Sequence, residues 1–466
     1  MLRADTLLAR SSHRTTMLNK SDNETVCRVG PGTPMGRLMR EYWVPALLSR
    51  ELARSDSDPV RVLLLGEQLI AFRETNGNVG LIQNNCPHRG ASLFFGRNEE
   101  AGLRCVYHGW KFDTHGNCID MPNEPAESDF KQKVKAVAYP TQERGGIVWA
   151  YLGPRKQPPP LPDLEANMLP DGQGVVQAVV RDCNWLQALE GDVDTSHLGF
   201  LHHGAKTDAD YRPGTFAYYA VHDRAPRYQV VDTEYGAMYA AYRPAGDGRA
   251  YWRYAQFLFP FYVMIPSGVM GLQIWTRAWV PMDDEHVMFF SMHHANTFTQ
   301  RGLPPRTLDP NASSPTPEAA ALAIPMRMLP NTTDWLGRFR LAQNAGNDYL
   351  IDRGKQRRRE DYTGIPGIHQ QDQAVTESMG PMYDRSQEHL GSSDVMLIRV
   401  RRRLLAAAEA LVNDSLTPPA VDHPEAYAVR GGGVLLPSGA DWLEATAELR
   451  KAFVNHPELD ATIAGG

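Results

Sequence analysis

At 466 residues the chain has room for two or three domains of roughly 150 residues each, with cores large enough to need no disulfide staples. Five cysteines (Cys27, Cys86, Cys105, Cys118 and Cys183) are too few and too odd in number for a disulfide framework, which points to a cytoplasmic, reducing compartment and to metal or redox use of a subset. The 48 Lys and Arg against 54 Asp and Glu leave a net charge of −6 with no basic stripe among the aromatics, which argues against nucleic acid as a partner.

The first 20 residues, MLRADTLLARSSHRTTMLNK, carry Arg and Ser as a transit peptide would, but Asp5 and a single short apolar pair count against one; a disordered tail or an early start codon is expected. After the loop RVGPGTPMG, the segment RLMREYWVPALLSREL alternates helix and turn signals. VRVLLLGEQLIAFRETNGNVGLIQNNC then shows short β-branched runs cut by Gly and Asn, the spacing of antiparallel strands and hairpins. The pattern continues through CVYHGWKFDTHGNCIDM to GGIVWAYLG, and the prolines of KQPPPLPDL mark a stiff boundary near 156–164. Residues 43–155 therefore read as one all-β module.

Beyond this boundary, VVQAVVRDCNWLQALEGDVDTSHLGFLHHG begins as a strand and turns helical from about Asn184, with Asn184 or Asp182 as cap. Strands are expected from Tyr218 to Asn296. Within them FLFPFYVMIPSGVMGLQIW is broken by Pro260, Pro266, Gly268 and Gly271 into buried strands rather than a membrane helix. A Pro/Ser/Thr-rich surface loop near 303–318 follows, then expected helices in LGRFRLAQNAGNDYLIDRGKQRRRE and SSDVMLIRVRRRLLAAAEALV. This second unit, 165–466 joined by 1–42, is α+β, an antiparallel sheet with helices around it.

Two groups of residues carry chemistry. Cys86, His88, Cys105 and His108 form C-x-H and C-x2-H pairs in turn-forming sequence, so two loop tips can close on one inorganic centre. Zinc would take all four side chains tetrahedrally, whereas a [2Fe–2S] centre of Rieske type puts two thiolates on one iron and two neutral imidazoles on the other. Zinc sites usually keep like ligands together, while here each loop supplies one Cys and one His and can reach both irons. Further along, Asp194, His197 and His202 fall at D-x2-H-x4-H on a predicted helix that Gly199 and Gly204 would let bend. Two imidazoles and one carboxylate on one face of an octahedron suit Fe(II) with sites open for O2. The neighbouring His203, and His293 and His294, read as core or surface residues. The downstream carboxylate is open among Asp348, Asp352 and Asp372.

CPHRG and CVYHGWKF resemble the cluster loops of Rieske non-haem iron oxygenases, and QDQAVTESMGPMYDRSQEHLG resembles their phthalate-dioxygenase-like branch, over roughly residues 26–450. Rieske subunits of respiratory complexes carry a further Cys in each loop; Ala91 and Gly109 stand beyond the histidines here, which favours the lower-potential oxygenase type. The resemblance implies one [2Fe–2S] cluster and one mononuclear Fe(II) per subunit. It implies Asp372 as the third ligand, and Asp194, with Asp192 the nearby alternative, as a bridge from His197 to His108 of the next chain. It further implies a Rieske β-domain inserted on a helix-grip catalytic domain, in head-to-tail trimers or trimer pairs. Electrons would come from an NAD(P)H-dependent flavin/iron–sulfur reductase or a ferredoxin, since no G-x-G-x-x-G follows a strand here.

The expected activity is O2-dependent hydroxylation or O-demethylation of an aryl carboxylate or aryl ether. Arg224, Arg243 and Arg253 are candidate carboxylate clamps. Leu198 follows His197 where the family's phthalate site has a hydroxyl, which argues against phthalate itself. The rival reading is a Rieske electron-transfer protein without oxygenase activity, which predicts no iron beyond the cluster.

Overall fold

The computed structural model describes residues 17–125, 127–211, 213–297 and 326–459; the expected tail up to residue 16 and the loop near 303–318 lie outside the described residues. Three small antiparallel sheets occupy residues 43–151. One joins Trp43–Leu48, Ile147–Tyr151 and Thr141–Arg144; the second runs Val60–Leu64, Glu67–Arg73, Val79–Gln83, Ala138–Tyr139; the third runs Arg97–Glu99, Gly102–Arg104, Lys111–Phe112, Cys118–Asp120. The strands are short and alternate with Gly and Asn turns, as the sequence pattern requires.

One hairpin of this module fastens it to the rest of the chain. Val60–Leu64 pairs with Glu67–Arg73 through a two-residue turn, Leu65–Gly66, with φ of 48° and 78°. Positive φ at both positions is the hairpin geometry that matches strand twist. The turn's amides are thereby free to donate to Pro281 O (3.1 Å) and Met282 O (2.8 Å) of the second unit.

The second unit is built on an 8-stranded antiparallel sheet in the order Gly174–Arg181, Val287–His294, Trp275–Pro281, Tyr262–Met264, Arg249–Leu258, Gly236–Gly246, Arg227–Thr233, with Gly432–Pro437 also pairing with Arg249–Leu258. The helix Val395–Asp414 buries Met396, Val400, Leu404, Leu405 and Ala408, a helical stripe laid against the strands 227–246 and the amino-terminal helix Pro34–Arg40. The helix Trp185–Asp192 packs between Trp275–Pro281 and the helix Ile368–Ser378. Asn184 caps it, accepting from Leu186 N while its amide donates to Cys27 O (2.9 Å) and Asp284 O (2.8 Å). The α+β architecture expected from the sequence is the one observed. Among the described residues no helix is long and apolar enough to cross a membrane.

Three local expectations are corrected. The segment Asp194–His202 is not helical: the helix stops at Asp192, and a 3-10 turn covers only His197–Gly199. Asp194 is the reason, because its carboxylate takes the Ser196 amide (2.6 Å) and hydroxyl (2.8 Å) and so competes with helix continuation. The strand series begins at Arg227 rather than Tyr218, since Phe216–His222 is a helix whose cap Thr215 accepts from Tyr218 N. Residues 336–360 hold only a 3-10 stretch and the short helix Arg353–Arg358. Asp348, Tyr349 and Leu350 all take positive φ there, where Asn344 and Asn347 satisfy backbone groups locally.

Candidate metal centres

The two Cys/His loops are built alike. In the first, Cys86 N donates to Ala91 O (2.8 Å) and Gly90 N to Cys86 O (2.9 Å); in the second, Cys105 N donates to Trp110 O (2.8 Å) and Gly109 N to Cys105 O (3.0 Å). The residue before each Cys locks the glycine carbonyl, Asn85 Nδ2 on Gly90 O (2.8 Å) and Arg104 Nη1 on Gly109 O (2.7 Å). Both glycines need positive φ, 76° and 79°, and a Cβ on Gly109 would stand 2.6 Å from Pro122 Cγ.

These matched turns set Cys86 and Cys105 side by side, both 3 % exposed, and bring the His88 and His108 rings to 4.4 Å. His88 stacks flat on Trp110 at 4.3 Å, and Tyr107 lies 3.9 Å from His108. Burial, with the neighbouring Cys105 thiol, pushes the Cys86 thiol up to about 12 against the pull of the His88 amide. Buried together, the sulfurs need a cation to ionise, and a metal supplies one. Among the described residues His108 Nδ1 is buried with no hydrogen-bond partner, as suits a nitrogen that binds a metal. The donor set fits an iron–sulfur cluster. Cys118 is not part of it: its Sγ donates to Asp120 O at 3.4 Å. Cys27 and Cys183 are buried elsewhere.

The second centre joins the turn after Trp185–Asp192 to the helix Ile368–Ser378. His197, His202 and Asp372 each place a ligand atom within 4.8 Å of the others. Asp372 Oδ1 lies 3.2 Å from His202 Nε2 and 3.7 Å from His197 Nε2, and the two rings stand nearly perpendicular, 5.1 Å apart. Burial disfavours the Asp372 anion, yet His202, His197 and Arg181 hold its carboxyl well below the usual range. Three converging donors of this kind fit an Fe(II) ion.

Behind each histidine stands an acceptor. His197 Nδ1 meets Asp194 Oδ2 at 3.2 Å, and His202 Nδ1 meets Gln371 Oε1 at 2.8 Å. Burial works against ionised Asp194 too, but His197 and the Ser196 donors bring it down to about 2. Asp192 is taken up by the sheet, accepting from Trp279 Nε1 (2.7 Å) and pairing with Arg277. Asp348 and Asp352 are exposed and away from the group; Asp352 caps Arg353–Arg358 through Lys355 N. His203 is engaged by Tyr211 OH at 2.7 Å.

The three candidate clamps are engaged by groups of the fold itself, mostly backbone carbonyls. Arg224 holds Gly199 O and Lys206 O; Arg243 holds Asp223 O and Thr195 O; Arg253 holds Pro266 O and Thr195 Oγ1. They brace the histidine-bearing turn. The sequence reading missed Gln371, although it adjoins Asp372, because a lone Gln carries no signal of its own.

A cluster-binding β-module joined to a site of two imidazoles and a carboxylate defines a two-centre iron protein. The Rieske [2Fe-2S] domain family matches residues 42–138, and the family described as "LigXa C-terminal domain like" matches 150–302 and 328–461. The chain is 48% identical to the oxygenase subunit of 3-chlorobenzoate-3,4-dioxygenase from Comamonas testosteroni, over 90% of this chain and 96% of that one. It is 38% identical to the phthalate 4,5-dioxygenase oxygenase subunit of Pseudomonas putida, over 84% and 87%. Dicamba monooxygenase, bound to dicamba, shares the fold with a TM-score of 0.53 at 18% identity, over 80% of this chain and 98% of that one. The chain belongs to the Rieske non-haem iron aromatic-ring oxygenases, as an oxygenase subunit, and its cofactors are a [2Fe–2S] cluster and a mononuclear iron.

Proposed function

We propose that this subunit hydroxylates or O-demethylates an aryl carboxylate or aryl ether, drawing electrons from a separate NAD(P)H-dependent flavin/iron–sulfur reductase or ferredoxin. The observation that carries the reading is the convergence of His197, His202 and Asp372, which a pure electron carrier has no use for. Similarity to subunits acting on 3-chlorobenzoate and phthalate supports an aromatic acid, and a 42% match over 189 residues to a 5,5'-dehydrodivanillate O-demethylase subunit keeps aryl ethers in range. Leu198 puts no hydroxyl directly after His197, which favours a monocarboxylate over phthalate.

Residues 43–155 form the cluster domain in this reading, and 1–42 with 165–466 the catalytic one. Cys86 and Cys105 would hold one iron of the cluster, His88 and His108 the other; His197, His202 and Asp372 would hold the mononuclear Fe(II). When bound, the cluster supplies single electrons and the mononuclear iron supplies O2 activation beside the substrate. Asp194 keeps the His197 ring in place by accepting from Nδ1 and, in a head-to-tail homotrimer or trimer pair, links it to His108 of the partner subunit. Arg224, Arg243 and Arg253 keep the turn that carries both histidines from relaxing. The protein works in the cytoplasm.

The test is O2 uptake by the purified subunit with a surrogate reductase, using 3-chlorobenzoate, phthalate and a methoxybenzoate. Uptake matched to a hydroxylated or demethylated product supports the reading. Metal analysis that finds no iron beyond the cluster in active preparations of the electron-accepting protein overturns it in favour of the carrier.

A further inference from the structure

We propose that Gln371 is a positioning residue of the mononuclear site: its side-chain amide selects the tautomer of His202 that turns Nε2 to the metal, and ties that ring to the turn 361–367. The inference rests on His202 being a ligand, as proposed above.

The amide has one allowed orientation. Gln371 Nε2 donates to Ile365 O at 2.9 Å, and a carbonyl oxygen can only accept. The reverse flip would set two acceptors against each other at that distance. Oε1 therefore faces His202 Nδ1 at 2.8 Å and can only accept from it, so Nδ1 carries the proton and the lone pair sits on Nε2, the nitrogen 3.2 Å from Asp372 Oδ1. The His202 side chain is 1 % exposed and Gln371 is 6 % exposed, so water does not compete for either atom.

Ile365 is in turn held from its own side. Its amide donates to Thr363 Oγ1 (2.9 Å), and Asp361 takes the Thr363 and Gly364 amides at 2.9 Å each. Next to Asp361, Tyr362 packs where a Cβ on Gly204 would stand, 2.4 Å from its ring, so the turn also touches the end of the histidine segment. Gln371 is the hydrogen-bonded link between that turn and the ring. Because Gln371 and Asp372 are consecutive on one helix, any shift of the third ligand moves the support of the second with it.

The two histidines are thus backed unequally, His197 by a carboxylate and His202 by a neutral amide. A carboxylate partner raises imidazole donor strength and adds negative charge near the metal; an amide fixes direction without charge.

The experiment compares Gln371→Leu, Gln371→Glu and Asp372→Ala in the whole chain. Fe(II) affinity is measured by chelator competition, the mononuclear Fe(II) by near-infrared ligand-field spectra, and the cluster by its visible spectrum. Gln371→Leu should lose about ten- to a hundredfold in Fe(II) affinity with the cluster spectrum unchanged. Gln371→Glu keeps an acceptor for His202 but turns its second oxygen on Ile365 O, so it should hold iron more tightly than Gln371→Leu and less tightly than wild type, with shifted ligand-field bands and a lower mononuclear reduction potential. Gln371→Leu at wild-type affinity and spectrum, with Asp372→Ala losing iron, overturns the inference alone. If Asp372→Ala also keeps its iron, the site assignment itself fails. Should Gln371→Leu not fold, Gln371→Met, which likewise offers His202 no amide oxygen, takes its place with the same two outcomes.

Discussion

His202 Nε2 stands 3.2 Å from Asp372 Oδ1, a contact that joins the turn after the helix Trp185–Asp192 to the helix Ile368–Ser378 far downstream. Its consequence is a choice between carboxylates that sequence left open. Asp372→Ala should lose the mononuclear iron and all turnover while acid-labile sulfide stays at the wild-type level. Asp352→Ala should keep both, losing only the cap of a short surface helix, because Asp352 is exposed and bonds Lys355 N. Iron and sulfide analysis of the two variants checks this.

Colour separates the cysteines. Cys86→Ser or Cys105→Ser should yield protein without the visible Rieske spectrum, since each loop supplies a buried sulfur that nothing else replaces. Cys118→Ser, in the same small core, should stay red-brown, because Cys118 Sγ is committed to Asp120 O. A colourless Cys118→Ser would count against this assignment of sulfurs.

What was legible in the sequence follows from how local each feature is. The cluster loops place ligands, turn glycines and carbonyl locks within six residues of one another, so their spacing alone carries the geometry. The Asn184 cap and the long helix Val395–Asp414 were legible for the same reason. The Asp194–His202 turn was not, because Asp194 diverts backbone donors that a periodicity argument gives to a helix. Residues 336–352 misled for a similar reason, their helical composition overridden by Asn side chains bonding the backbone. Gln371 was invisible because its meaning lies in two contacts outside its helix.

Stability should depend on pH through Glu190. This carboxylate bridges two buried guanidiniums, Arg385 Nη2 at 3.1 Å and Arg401 Nε at 2.5 Å. Burial opposes its charge, but the two arginines outweigh it and hold the carboxyl below its ordinary 4.5. A lowered folded value means the contribution is complete above the unfolded value and is lost as pH falls through the folded one. Thermal midpoints of the wild type should therefore fall below about pH 4.5. Glu190→Gln should cost about 3–5 kcal/mol at neutral pH, because it leaves the buried Arg385 without a carboxylate partner, while Arg401 keeps its pair with Glu388, and it should lack that part of the acid slope.

The proposed route of electrons between subunits is tested by mixing. Asp194 backs His197 within its own chain through Oδ2 at 3.2 Å, and its side chain remains 20 % exposed, so it is accessible to a neighbour. Co-expression of Cys86→Ser, which should lack the cluster, with His197→Ala, which should lack the mononuclear iron, should produce mixed assemblies. In a cyclic trimer every mixed ring contains one interface where an intact cluster faces an intact iron, so random mixing should restore roughly a quarter of wild-type activity from the symmetry of head-to-tail rings. Each variant alone should be inactive. Transfer confined to one chain would restore nothing, because no subunit holds both centres. Confirmed mixed trimers of folded variants with no turnover would therefore rule out the bridge between His108 and Asp194.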